Sequence, residues 1–512
     1  MRIRNSRRAR LGYIVVGISL GLATASAGTA QPLNNGREAA ANDAEHGAAR
    51  WDDSPLAERL GDLLGSKVRN GMWGAMVVSL TTGDTLFAHN PGLSLNPAST
   101  MKLYTTALAF ERLGPDYRFR TDVFRDGALS HGALLGNLIL RGGGDPALSR
   151  RYYGDVNGPM RALAKQVYDA GIRKVNGDII GDDGAFESQG VPDGWLTRYL
   201  HSSYAARVSA LSLNENVIHV VVSPGKAGQP GAVRLEPATT AFQITNSTTT
   251  RAKSRNAALT VSGGEDGVVR VKGWIGSTAE SKVYVLVVPD PARFATGAFL
   301  RALRDAGVVV EGKARIGGTP AGAVRVTSLP SPPLHELATV MNRESVNHYA
   351  ELIFRNAARD ADPQGIGSAT MGNALLRDFL ELRVGASAKD VFAADGSGLS
   401  TLDRVTARSM VKLLSYAHRA PWSAKFHESL PMAGMQETLR TRMRRTPAQG
   451  NLHAKTGTTN EVVALSGYVS SRTGEILAFS FVYNGRDRWN ARTTIDAMGV
   501  TLASFERDDA HR

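Results

Sequence analysis

The chain has 512 residues, of which 42% are hydrophobic and 21% charged, with 54 glycines, 21 prolines and no cysteine. This composition is close to that of ordinary globular proteins and excludes a collagen-like or mainly disordered chain. The lack of cysteine excludes a disulfide scaffold, a thiol nucleophile and any cysteine-ligated zinc or iron–sulfur site. The length is sufficient for roughly three domains.

The first thirty residues have the layout of a secretory signal peptide. Five arginines within the first ten residues precede an apolar stretch at 11–23 and small residues at 25–30. That stretch is too short for a comfortable membrane span, so we expect cleavage after Ala27 or Ala30. Loss of these arginines leaves 55 of the 60 basic residues against 47 acidic ones, a net charge of +8. The mature protein is therefore expected to be exported and mildly basic, with no indication of nucleic-acid binding.

The first half of the mature chain passes from a helical and hairpin pattern to a strand-rich one. Residues 31–55 are polar and are predicted to form a linker. A hairpin follows, with strands at 74–80 and 85–88, and then a helix that begins near Asn96 and stops at Gly114-Pro115. Between residues 117 and 290, strands are predicted at 137–140, 217–222, 268–271 and 283–288.

The last third of the chain is predicted to be mainly helical until a closing hairpin. Helices are expected at 294–306, 333–358, 369–382 and 406–418, and the hairpin at 461–469 and 476–483. A final helix at 489–505 is expected to pack on a sheet. The tail after Phe505 has no apolar face, so no C-terminal membrane anchor is predicted.

A Ser-x-x-Lys motif occurs three times in the chain. In Ser99–Lys102 the two side chains share one helix face, which places an amine beside a hydroxyl as a lysine-activated serine nucleophile requires. Ser223–Lys226 contains Pro-Gly and is predicted to be a turn, whereas Ser409–Lys412 fits the polar edge of an amphipathic helix. Ser99 is favoured because it follows Pro97 at a helix start, where backbone N–H groups are free.

Two further motifs lie downstream of it. Ser345-Val346-Asn347 opens an apolar helix, and a helix cap explains this triplet as well as chemistry does. Lys455-Thr456-Gly457 is the only Lys-Thr-Gly in the chain and precedes the closing hairpin. At a strand edge it would offer a cation, a hydroxyl and free backbone groups to an extended substrate that ends in a carboxylate. The alternative explanation is a polar entry into a strand.

Taken together and in order, the three motifs resemble those of the serine DD-peptidases. The resemblance is to the class C low-molecular-mass penicillin-binding proteins, the D-alanyl-D-alanine carboxypeptidase/endopeptidases, and it runs from about Gly74 to Val500. Its further stretches are Asn96–Leu103 (NPASTMKL), Leu113–Thr121 (LGPDYRFRT), Arg141–Leu148 (RGGGDPAL), Asp395–Ser400 (DGSGLS) and His453–Thr458 (HAKTGT). The separation of 246 residues between Ser99 and Ser345 fits the large insertion that marks class C.

The resemblance implies an α+β fold with a penicillin-binding, serine β-lactamase-like core. This core is an antiparallel sheet flanked by helices, expected at residues 56–117 and 300–512, with one or two β-rich inserted domains at 118–299. One position departs from the family, which usually has Asp or Asn where this chain has Val346. In the family pattern the outer residues of the triplet point into the cleft, so Ser345 and Asn347 can keep their roles, although pocket polarity or turnover could change.

The resemblance also implies the catalytic roles. Ser99 attacks the carbonyl of the penultimate D-alanine and forms an acyl-enzyme. Lys102 takes the Ser99 proton, for which its pKa must be lowered by burial and by nearby Lys455. Ser345 relays a proton towards the leaving amine. The deacylation base stays unassigned.

The remaining implied roles concern substrate binding. Asn347 holds the acyl-side amide, and Lys455 with Thr456 binds the terminal carboxylate. Gly457 lets the substrate lie close to the strand. The backbone N–H of Thr458, with that of the nucleophile, forms the oxyanion hole.

The resemblance implies a periplasmic enzyme that acts on peptidoglycan stem peptides and is inhibited covalently by β-lactam antibiotics. No cofactor is expected, and the lack of a His-Glu-x-x-His motif argues against a zinc peptidase. Two alternatives stay open. A β-lactamase would share the motifs, although the large insertion disfavours it, and a non-catalytic wall-binding or sensor protein would keep the fold without acylation. The balance between carboxypeptidase and endopeptidase activity is not determined by the sequence.

Overall fold

The computed structural model describes residues 54–68, 70–263 and 266–507. The predicted signal peptide, most of the predicted linker and the last five residues lie outside these ranges. Within them, no helix combines the length and the apolar character needed to cross a bilayer.

The helices of the described residues lie mostly at the two ends of the chain. In chain order they are α1 (Pro55–Lys67), α2 (Met101–Leu113), α3 (Arg150–Tyr153), α4 (Gly158–Asp169), α5 (Pro291–Asp305), α6 (Leu334–Glu344), α7 (Asn347–Arg359), α8 (Ala369–Phe379), α9 (Ala407–Arg419), α10 (Ser423–Ser429) and α11 (Arg488–Ala503).

Most strands of the same residues lie between 120 and 330, and the others are near the two ends of the chain or in a short pair near residue 400. They are β1 (Met72–Ser79), β2 (Thr85–His89), β3 (Arg120–Arg125), β4 (Ala128–Ser130), β5 (Ala133–Leu135), β6 (Leu138–Arg141), β7 (Lys174–Val175), β8 (Ile179–Asp182), β9 (Val217–Ser223), β10 (Ala232–Glu236), β11 (Gln243–Arg251), β12 (Ala257–Gly263), β13 (Val268–Gly276), β14 (Lys282–Val287), β15 (Val309–Val310), β16 (Ala314–Ile316), β17 (Val324–Pro330), β18 (Val391–Phe392), β19 (Arg404–Val405), β20 (His453–Thr458), β21 (Val462–Ser470) and β22 (Ile476–Asn484).

A five-stranded antiparallel sheet is built from the two ends of the chain, as expected. Its order is β2-β1-β22-β21-β20, so β20, which carries Lys455, is an edge strand. Side chains alternate between the two faces because the period of a strand is two. On β22, Phe479 and Phe481 lie in one apolar cluster and Ala478 lies in another. Both faces of the sheet are therefore covered.

Helices cover the two faces unequally. On one face, α1 and α11 contribute Leu60 and Ile495 to the cluster that contains Phe479, which confirms that the final helix packs on the sheet. On the other face, a larger cluster includes Tyr104 of α2 and Met410 of α9, together with residues of α6, α7, α8 and α10. These two layers around an antiparallel sheet confirm the predicted α+β class.

The region between the first and second motifs is rich in strands and has its own apolar core. Helix α5 contributes Phe294 and Phe299 to this core, which also contains residues of β6, β9 and β13. Strands β16 and β17 belong to a sheet of order β16-β8-β6-β3-β17, so residues 314–330 pair with this region. The predicted boundary at residue 299 stays untested, and this pairing leads us to propose one nearer residue 330.

The helical pattern predicted at 333–358 is two helices, because the chain breaks at Ser345-Val346. Ser345 ends α6 with a φ of 61° and a ψ of 41°, the left-handed region that residues with a Cβ rarely adopt. Val346 is extended and precedes α7. The break takes the triplet off a continuous helix face, so that Ser345 contacts Lys455 of β20 and Asn347 contacts Lys102 of α2.

Candidate active site

Ser99 lies in a short 3-10 turn, Ala98–Thr100, that leads into α2. Asn96 braces this turn, because its side chain accepts from the Ala98 N–H at 2.9 Å and donates to the Ser400 carbonyl at 2.9 Å. The Thr100 hydroxyl donates to the Pro97 carbonyl at 2.8 Å. Ser99 itself is half-buried, so its hydroxyl is held in place and is still open to a substrate.

Two glycines allow the chain to approach the Ser99 turn from both sides. A Cβ on Gly457 of β20 would lie 2.6 Å from the Pro97 carbonyl oxygen. A Cβ on Gly398 would overlap the Ala98 carbonyl, and its φ of 82° also disfavours a side chain. Gly457 was predicted to make room for substrate. In the structure its lack of a side chain also brings β20 against the turn that carries Ser99.

Lys102 is fully buried one helical turn after Ser99. Its Nζ lies 3.1 Å from Ser99 Oγ, 2.7 Å from Asn347 Oδ1 and 2.7 Å from the Ser397 carbonyl oxygen. A neutral amine has two N–H donors and one lone pair. The two shorter contacts can take the donors, which leaves the lone pair for the Ser99 hydroxyl.

Burial sets the charge state of Lys102, and three carboxyl groups oppose it. Burial lowers the pKa of Lys102 to about 8, while Asp395, Glu351 and Asp403 act in the opposite direction. Two of these acids are themselves weakened: burial raises the pKa of Glu351 to about 7 and that of Asp403 well above its usual range. A partly protonated acid cluster keeps the opposing field modest, so the lysine can be neutral near physiological pH.

Ser345 and Lys455 meet across the cleft from Lys102. Lys455 Nζ donates to Ser345 Oγ at 2.9 Å and to the Thr456 carbonyl at 2.9 Å. Lys455 is fully buried, and burial together with the charge of Lys102 lowers its pKa well below the usual lysine value. The two amines therefore compete for protons within one site. Thr458, on the same strand, is exposed at the cleft.

Asn347 connects Lys102 with the strand-rich region. Its Oδ1 accepts from Lys102, and its Nδ2 donates to the Tyr204 carbonyl at 2.8 Å. Val346 lies partly buried against the apolar cluster of the helical layer. The structure thus turns the middle residue of the triplet away from the polar groups that the two outer residues contact.

Comparison with known proteins agrees with this geometry. A model of the D-Ala-D-Ala carboxypeptidase 3 (S13) family matches residues 56–505, which is most of the chain. The chain belongs to this family. Its membership makes the chain a serine-type D-Ala-D-Ala carboxypeptidase and confirms the resemblance to the serine DD-peptidases.

Individual S13 relatives align over nearly the same length. The D-alanyl-D-alanine carboxypeptidase of Actinomadura sp. strain R39 is 34% identical over 447 residues, which cover 84% of this chain and 81% of the relative. The D-alanyl-D-alanine carboxypeptidase of Haemophilus influenzae is 26% identical over 85% of this chain and 89% of its own. The crystal structure of penicillin binding protein 4 from H. influenzae has a TM-score of 0.72 at 23% identity, over 87% of this chain and 99% of that one, and so shares its fold.

The other two Ser-x-x-Lys matches do not form such a site in this S13 chain. Ser409 is buried, accepts from the Tyr104 hydroxyl or donates to it at 2.7 Å, and caps α9 together with Thr406. Lys412 is exposed and donates to the Gly385 carbonyl at 2.7 Å. Ser223 ends β9 and lies 2.8 Å from Ser281.

Reasoning from the sequence missed the groups behind Lys102. Glu351 lies one turn after Asn347 on α7 and pairs with the buried Arg355 at 2.7 Å. Asp395 begins the DGSGLS stretch, which signalled the family but not a contact with the lysine. Trp195, which donates to Asp395 at 2.7 Å, lies 200 residues away in the strand-rich region and gave no signal of its own.

Proposed function

We propose that this S13 enzyme is a periplasmic serine DD-peptidase that cleaves peptidoglycan stem peptides through an acyl-enzyme on Ser99. Ser99 Oγ attacks the carbonyl carbon of the penultimate D-alanine, and the terminal D-alanine or the amine of a cross-link leaves. Water then cleaves the ester. β-Lactams, whose ring amide replaces the scissile bond, acylate the same oxygen. The predicted signal peptide at residues 1–30 supports export to the periplasm.

The proposal depends chiefly on the three hydrogen-bonding contacts of the buried Lys102 amine. Nζ is 3.1 Å from Ser99 Oγ and is held by two carbonyl-type acceptors at 2.7 Å, so its lone pair is directed at the hydroxyl. A base must lie within hydrogen-bonding distance of the proton that it removes and have a pKa near the working pH. Lys102, with a pKa of about 8, meets both conditions.

Lys455 and Ser345 are assigned to the leaving group and to the substrate carboxylate. The hydroxyl of Ser345 is held by Lys455 at 2.9 Å and reaches the cleft from a left-handed backbone position. It can pass a proton to the leaving nitrogen while Lys455 and Thr456 bind the terminal carboxylate. Asn347 keeps one Nδ2 hydrogen for the acyl-side amide, since the Tyr204 carbonyl takes the other. The N–H groups of Ser99 and Thr458 form the oxyanion hole.

Intact-mass spectrometry with benzylpenicillin tests this assignment. We expect the wild type to gain the mass of one penicilloyl group and Ser99→Ala to gain none. Ser409→Ala is the matched control, because it removes the serine of the other helical Ser-x-x-Lys motif and should leave the adduct intact. An adduct that persists in Ser99→Ala would refute the nucleophile.

Two steady-state measurements separate the alternatives. Release of D-alanine from a pentapeptide, or cleavage of a purified cross-linked dimer, would support the DD-peptidase. Fast turnover of a chromogenic β-lactam without peptide cleavage would instead establish a β-lactamase. A correctly folded wild type that neither acylates nor cleaves would leave the wall-binding or sensor function as the explanation of the fold.

A further inference from the structure

A segment of the strand-rich region, residues 193–204, reaches the loop Asp395–Ser400 beside the active site. The Ser400 hydroxyl donates to the Asp193 carbonyl at 2.6 Å, and the Thr401 N–H donates to the Gly194 carbonyl at 3.1 Å. Next to these contacts, Trp195 Nε1 donates to Asp395 Oδ2 at 2.7 Å. Trp195 is only 7% exposed and Asp395 is fully buried, so water does not compete for this hydrogen bond.

Asp395 organises the loop in which it lies. Its Oδ1 accepts from the N–H groups of Ser397 at 2.8 Å and Gly398 at 2.6 Å, and its Oδ2 accepts from that of Ser400 at 2.7 Å. This ring of hydrogen bonds fixes the peptide that presents the Ser397 carbonyl. That carbonyl is one of the two acceptors that hold Lys102 Nζ.

We propose that Trp195 is a positioning residue for the general base. Its indole N–H fixes the Asp395 carboxylate, the carboxylate fixes the loop, and the Ser397 carbonyl then holds Lys102 beside Ser99. The inference rests on the proposed roles of Ser99 and Lys102. It assigns to the strand-rich region a part in acylation, at a distance of three successive hydrogen bonds from Lys102.

A packing role for the indole ring is the alternative, and the two roles respond differently to Trp195→Phe. The substitution keeps an aromatic ring in the same place and removes only the N–H. Glu351 and Asp403, the other carboxyl groups that act on Lys102, are unchanged in this variant. A change in the behaviour of Lys102 would therefore come through Asp395.

The test compares the second-order rate of acylation by benzylpenicillin between pH 6 and 10. We expect Trp195→Phe to acylate about tenfold more slowly at pH 7, since it loses one hydrogen bond to a buried charge. The lower limb of its pH profile should also move to higher pH by about half a unit, because a carboxylate with fewer donors favours the protonated lysine more strongly. Trp274→Phe removes an indole N–H from β13, which lies in the separate three-stranded sheet β11-β13-β12, and should change neither quantity.

A double-mutant cycle decides whether Trp195 acts through Asp395. In an Asp395→Asn background, Trp195→Phe should cost less than a factor of two. An equal loss in both backgrounds would overturn the proposal, as would wild-type rates and pH profile in Trp195→Phe alone. If Asp395→Asn does not fold, Ser400→Ala replaces it: that variant loosens the same two segments without touching the indole, and an identical loss of rate and shift of profile there would overturn the proposal. A wild type that is not acylated on Ser99 would refute the proposed function instead.

Discussion

Acylation of Ser99 is expected to rise steeply between pH 6 and pH 8, because only neutral Lys102 can accept the proton of the hydroxyl. Burial lowers the pKa of Lys102 to about 8. With this value about 1% of the lysine is neutral at pH 6, about 9% at pH 7 and about half at pH 8. The rate should therefore increase roughly 50-fold from pH 6 to pH 8 and level off at about pH 9. An ordinary lysine, with a pKa of about 10.4, would give a rate that still climbs tenfold per unit at pH 9.

Stopped-flow measurement of acylation by a chromogenic β-lactam gives this profile directly. Lys102→Met should abolish acylation throughout the range. Lys412→Met is the matched control, since it removes the exposed lysine of the other helical Ser-x-x-Lys motif and should reproduce the wild-type curve. The unfolding temperature at each pH shows that the protein stays folded. A flat profile, or a midpoint near pH 10, would refute the assignment of Lys102 as the base.

Three further predictions concern neighbouring residues. Gly457→Ala should lower the unfolding temperature and slow acylation at least tenfold, because its Cβ would lie 2.6 Å from the Pro97 carbonyl oxygen. Gly318→Ala, which has open space around it, should change neither quantity. Equal behaviour of the two variants in calorimetry and acylation would contradict this prediction. Val346→Asn should acylate within about threefold of the wild type, since Val346 faces the apolar cluster, and a larger gain would show that the position reaches the cleft. Burial lowers the pKa of His348 to about 4, whereas in the unfolded chain this histidine takes up its proton at a pH of about 6.5. The folded state is therefore destabilised as the pH drops from about 6.5 towards 4. Urea titrations should show about 2 kcal/mol of unfolding free energy lost at pH 5 from this group, and a correspondingly smaller loss in His348→Asn.

The elements that could be predicted from the sequence are those with strong local signals. The hairpin around Gly83, α2 and the final helix lie within a few residues of their predicted positions, because turn residues and apolar periodicity are local properties. The five residues Ser99, Lys102, Ser345, Asn347 and Lys455 were predicted to share a site, and the structure brings them together.

The rest of the site depends on contacts between distant parts of the chain, which have no local signature. The break at Ser345 requires a left-handed backbone that a serine seldom adopts, so its apolar surroundings indicated helix instead. The donation from Trp195 to Asp395 joins residues 200 positions apart. Even where a stretch such as Asp395–Ser400 indicated the family, nothing in it identified the carbonyl that holds Lys102.

The position of β22 in the central sheet has a consequence for how the enzyme becomes active. This strand lies between β1, which precedes the Ser99 turn in the chain, and β21, which pairs with the Lys455 strand β20. The two sides of the sheet are therefore joined through a segment made near the end of synthesis. Closing a loop of about 400 residues has a large entropic cost, and contacts of this kind form late. A chain that has not yet completed residues 476–484 would have its lysine and its nucleophile but no assembled cleft. The cleft can therefore be complete only after residues 476–484 have joined the sheet.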